Sequence, residues 1–134
     1  MKFARWVFTA AGVYGVVVML PQLFLEDRIS RDNPPAITHP EYFYGFVLVT
    51  LAWQLAFLVI GRDPVRFRLL MPVAVLEKLP FAITMFAMVA TGRVGAAILP
   101  FATIDVVLGL LFAVSFWRTN GVQRSPGATA RRPA

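Results

Sequence analysis

A chain of 134 residues has the length of one small domain, but 58% of it is hydrophobic and its mean hydropathy is +0.69, above the ~45–50% apolar share of soluble domains, which points to a membrane protein. The chain has no cysteine, which excludes disulfides, thiolate metal sites and thiol–disulfide chemistry, and its one histidine, His39, falls in a loop, so two intramembrane histidines of one chain cannot hold a haem. The net charge of +6 does not argue for nucleic acid, because the basic residues flank apolar segments as topology signals do.

The first apolar segment covers about residues 3–25, behind Lys2 and Arg5. A basic start also fits a signal peptide, but the apolar run is too long and no small-x-small cleavage site closes it, so it reads as a transmembrane helix. Ala10, Ala11, Gly12 and Gly15 give it a face of small residues. Either a second backbone approaches there or the face is simple membrane composition. Pro21 is expected to bend the end of this helix.

Residues 26–40, EDRISRDNPPAITHP, form the longest polar connection. Asn33, Pro34 and Pro35 exclude a continuous helix, and Ile29 and Ile37 can dip the connection back toward the membrane surface. Thr38 and Glu41 match a capping box, with Pro40 in the first turn. The second span, 41–60, follows, with Gly61 expected as its C-cap. In the basic turn 61–68, Asp63 and Pro64 read as N-cap and first helical residue. The third span, 67–91, is interrupted by Pro72 and Pro80 and capped by Gly92. A short turn over 92–95 leads to the fourth span, 96–117, with Pro100 in its early turns. Residues 120–134, NGVQRSPGATARRPA, are mostly Arg, Pro, Gly, Ala and Ser with few apolar residues, and read as a disordered cytoplasmic tail. There is no internal repeat. Residues 1–119 are therefore expected to form an all-α membrane domain, an antiparallel up-down bundle of four transmembrane helices.

With four spans, one side carries Lys2, Arg5, Arg62, Arg66, Arg68, Arg118, Arg124, Arg131 and Arg132, and the other carries Arg28, Arg31 and Arg93. Nine against three puts both termini in the cytoplasm of a bacterial inner membrane. Trp6 and Trp117 mark the same interface, and Tyr42 and Tyr44 the opposite one.

Depth brings the polar residues of the spans to one level. Tyr14 lies roughly 16 Å from the cytoplasmic edge at 1.5 Å per residue. Glu77 and Lys78 lie equally deep in span three, Asp105 reaches the middle of span four from the other edge, and Thr50 and Gln54 bracket that level in span two. A charge in the hydrocarbon costs at least ~2.5 kcal/mol, so these groups are expected to find one another. Antiparallel pairing predicts a Lys78–Asp105 ion pair, and a hydrogen bond from Glu77 to Gln54, Thr50 or Tyr14. Two carboxylates against one ammonium leave one negative charge in surplus, and the layer is expected to hold one proton. Pro80 lacks the amide hydrogen that would bond the Leu76 carbonyl, which leaves that oxygen free beside the charges.

Two functions fit. In the first, the layer is a site that binds a small lipophilic molecule or handles a proton, in a transporter, an enzyme of lipophilic substrates or an accessory subunit. Glu77 would then carry the proton, Lys78 anchor it, Asp105 act as counter-ion, and Gln54, Thr50 and Tyr14 form the wall. In the second, the protein is a non-catalytic structural or assembly protein and the ion pair only fixes helix packing. Trp53 is either a lid over the layer or a packing aromatic. His39 and Glu41 are two metal-ligand types side by side, but capping already accounts for them. Met71, Met85 and Met88 read as core filling. There is no Gly-rich phosphate loop, His-Glu-x-x-His motif or Ser-His-Asp set. No cofactor or metal is expected. The partners expected are the lipid bilayer and, in one reading, a second copy of the chain or a larger membrane complex.

The stretch Asp105-Val-Val-Leu-Gly109-Leu-Leu-Phe112 and the four-helix layout resemble small bacterial inner-membrane proteins of the DoxX-like type. The resemblance implies the bundle architecture and carries over no active-site residue. The small multidrug exporters, similar in size, place an essential glutamate in the first helix, where this chain has Tyr14.

Overall fold

The computed structural model of the protein describes residues 1–121; the expected tail beyond Gly121 lies outside the described residues. Helix α1 spans Lys2–Met19 and tightens into a 3-10 turn over Leu20–Phe24 that contains Pro21, the bend expected from a residue that cannot continue the ladder. A short helix, α2, follows over Glu26–Asp32. Helix α3 spans Pro40–Arg62, α4 spans Met71–Ala90 behind a 3-10 turn at Arg68–Leu70, and α5 spans Leu99–Thr119 behind one at Ala96–Ile98. The segments Lys2–Phe24, Pro40–Arg62, Arg68–Ala90 and Ala96–Thr119 are each long and apolar enough to cross a bilayer. Their outward faces carry Val17, Leu48, Leu76, Ile83 and Leu110, all largely exposed. Apolar surface spread over every helix is suited to lipid and not to water. The protein is a small multi-pass membrane protein built as an all-α four-helix bundle.

Helix α1 packs chiefly on α3, and α4 on α5. The two pairs are joined through α1 and α5, whereas α3 and α4 meet only lightly. The half of the bundle that holds the start of α1 and the end of α5 is densely filled. Phe8, Phe57 and Phe112 are fully buried there, with Phe8 stacked on Phe112 at 4.2 Å between ring centroids and Phe57 edge-on to Phe112 at 4.9 Å. Arg68, counted above as a topology charge, is buried in this half. Its Nε donates to the Phe116 carbonyl at 3.2 Å and its guanidinium lies 3.8 Å from the Phe116 ring centroid, so it closes the C-terminal end of α5 with a cation.

Several local expectations change. Thr38 does not cap α3: His39 is the N-cap, Pro40 enters the first turn, and Glu41 instead meets His39 Nδ1 at 3.0 Å. Gly61 lies within α3 and does not end it, since the helix runs to Arg62 and its cap is Asp63. Gly61 instead lets α1 approach, because a Cβ there would meet Thr9 Oγ1 at 2.6 Å. Asp63 serves the basic turn, its Oδ1 accepting the Arg66 amide at 3.1 Å. Gly92 behaves as expected. At φ 69° it ends α4, with its amide on the Val89 carbonyl and the Arg93 amide on the Met88 carbonyl, the paired bonds of a Schellman ending. Of the small face of α1, Ala11, Gly12 and Gly15 are buried but Ala10 points outward.

Candidate functional site

Among the described residues, Lys78 is the cation near the middle of a span, and the carboxylates at that level, Glu77 and Asp105, gather on it. Its Nζ lies 3.2 Å from Asp105 Oδ1, the ion pair that antiparallel packing of α4 on α5 predicts. The same nitrogen lies 3.2 Å from Glu77 Oε2 and donates to Glu77 Oε1 at 3.4 Å. Its other neighbour is the Phe57 ring, with the centroid 5.5 Å away, which seats the ammonium on the aromatic core. Gly109 makes room for this on α5, since a Cβ there would press on Leu79 at 2.5 Å and on Lys78 Cβ at 3.4 Å.

Glu77 does not bond Gln54, Thr50 or Tyr14 as expected. Lys78 takes its carboxylate, and Gln54 faces another way. Gln54, 1% exposed, donates its Nε2 to the Thr50 carbonyl at 3.0 Å within α3. A carbonyl can only accept, so this bond settles which end of the amide is oxygen. The Gln54 side chain fills the recess left by the missing side chain of Gly15 on α1, where a Cβ would lie 1.8 Å from Gln54 Oε1. The buried Gln54 Oε1 accepts no hydrogen bond, whereas both oxygens of Glu77 face the Lys78 ammonium.

Above this layer the bundle is hollow. A cavity of about 1050 Å³ is bordered by all four spans and by α2. Tyr14, Thr50, Gln54, Glu77, Lys78 and Asp105, the six residues singled out from the sequence, all border it. They come from the levels that adjoin the packed half, and so form its floor. Trp53 borders it too and also packs on Phe57 at 6.1 Å between centroids, so it is both wall and core. Phe46 of α3 and Phe81 of α4 border the cavity and stack at 5.9 Å across the gap between those helices.

Helix α2, absent from the sequence-based expectation, forms part of the far wall through Ile29 and Asp32. Tyr44 anchors its start by donating to Glu26 Oε2 at 2.7 Å, and the Ile37 amide donates to Ser30 Oγ at 3.1 Å to fold the following loop back. Its signal was legible in part: Glu26 and Asp27 open it and Arg31 sits in its last turn, the charge order that suits a helix dipole.

No family model, curated protein or solved structure matches the chain.

Proposed function

We propose that the cavity and its floor form a binding site for a small lipophilic molecule, with Glu77 as the group that meets the ligand or the proton that accompanies it. The observation that carries this reading is that a cavity large enough for a drug-sized ligand has the mid-span charges Glu77, Lys78 and Asp105 along one side. Charged side chains within a bilayer are costly and face sites or partners by default, and a device for packing alone would gain nothing from an adjoining void. Lys78 anchors both carboxylates, Asp105 holds Lys78 in place from α5, and Gln54, Thr50 and Tyr14 line the wall. The scaffold reading draws support from one feature, the Lys78–Asp105 bridge that ties α4 to α5.

Thr50→Trp, which fills the cavity, separates the two. Protein extracted from its own membranes is expected to release a small molecule on denaturation, seen by mass spectrometry and missing from the Thr50→Trp protein. A native protein that releases nothing above the level of the filled variant would leave the scaffold reading standing. The excess of Lys and Arg on the side of the two termini supports a bacterial inner-membrane location with both termini cytoplasmic. The four-helix layout fits the DoxX-like resemblance at the level of architecture.

A further inference from the structure

We infer that the ligand of this cavity is a hydrophobic organic ammonium, a small amphiphile with one protonated amine; the inference rests on the binding-site reading above and names its ligand class. The charge count of the floor points to this class. The floor holds two carboxylates and one ammonium, so with both acids ionised it lacks one positive charge. At the mouth Asp32 and Arg93 offset each other in sign, which leaves the deficit at the floor. The one strong donor on the floor, Lys78 Nζ, is already held by two carboxylates. An anionic ligand would meet two carboxylates and an ammonium that both already hold, whereas an ammonium supplies the missing positive charge.

The walls decide what the amine is attached to. Tyr14, Phe46, Trp53, Phe81 and Phe101 border the cavity. Ring faces attract a cation and shelter an apolar body. A bare divalent ion fits poorly, since it needs six or more oxygen ligands and these walls are largely rings and aliphatic groups.

Trp53 is a built-in reporter. The other two tryptophans, Trp6 and Trp117, are 74% and 69% exposed and belong to the levels of the packed half, so Trp6→Phe with Trp117→Phe leaves Trp53 as the sole emitter. In discs of zwitterionic lipid, bromine-tagged decylammonium, decanol and decanoate are titrated as quenchers of Trp53, and each untagged compound is then used as a competitor. Saturable quenching by the tagged ammonium is expected, displaced by decylammonium at concentrations at least about tenfold lower than by decanol or decanoate. Glu77→Gln, which leaves the Lys78–Asp105 bridge in place, should bring the three competitors to within about threefold of one another. Saturable binding in which decanol or decanoate competes as well as decylammonium would overturn the ammonium assignment and leave the binding site standing. No saturable quenching by any of the three tagged compounds would overturn the site itself. Should Glu77→Gln fail to fold, the competitor series on the unsubstituted floor still decides the matter.

Discussion

Lys78 is the residue on which the site turns, because one ammonium serves two acids. Removing one partner of a buried pair costs ~3–5 kcal/mol, and here Lys78→Met orphans Glu77 and Asp105 together. That variant is expected to lose at least this much, read as a collapse of thermal stability in detergent. From the sequence, the natural rescue is the double change Lys78→Met with Asp105→Leu. The geometry says otherwise, since Glu77 would remain buried beside methionine. Recovery to near the native melting temperature is expected only from the triple change that adds Glu77→Leu. A double variant as stable as the triple would show that Glu77 does not depend on Lys78. The Lys78–Asp105 pair was legible because the chain offers one deep cation and few deep acids. The partner of Glu77 was not, because helix register alone cannot show that Gly15 leaves a recess into which Gln54 turns, away from Glu77.

The packing of the elements depends on glycines, and each glycine predicts a different outcome. A Cβ on Gly12 would meet the Gln54 carbonyl oxygen of α3 at 2.8 Å and Leu58 at 2.7 Å. The first of these is backbone, so α1 and α3 must move apart. Gly12→Ala is expected to cost ~1–3 kcal/mol, the range for overpacking. Gly45, also on α3, has nothing within 4 Å of its added Cβ, and Gly45→Ala should stabilise by about 0.4–1 kcal/mol through the unfolded chain. Thermal melts of the pair in one detergent test both, and equal melts would mean that α1 and α3 do not approach as described. The four long helices could be read from hydropathy and from proline and glycine punctuation. Helix α2 showed only its charge order, because its seven residues, EDRISRD, have too few apolar positions to show a period and stop at Asn33-Pro34-Pro35. The Thr38 and Glu41 pattern misled for a related reason: Pro40 sets the start of α3 and moves the cap to His39.

The whole molecule is a bundle filled at one end and hollow at the other, and its orientation is open to test because the chain has no cysteine to remove. With both termini cytoplasmic, a membrane-impermeant thiol reagent should label Arg28→Cys, exposed on α2, in intact spheroplasts. It should label Arg62→Cys, exposed at the end of α3, only after lysis. The reverse pattern would invert the proposed orientation. Hydropathy shows how many helices there are, but not that α3 and α4 stand apart, because both present apolar faces that could equally meet protein or lipid.

That separation gives the bundle the shape of a clothes-peg. The Phe8, Phe57 and Phe112 knot is the spring, α1 with α3 is one arm, α4 with α5 is the other, and the stacked rings of Phe46 and Phe81 are where the jaws touch. A guest arriving sideways from the lipid would have to part only those two rings. Cysteines at 46 and 81, bridged by a short thiol cross-linker, should therefore slow both entry and escape without altering the floor.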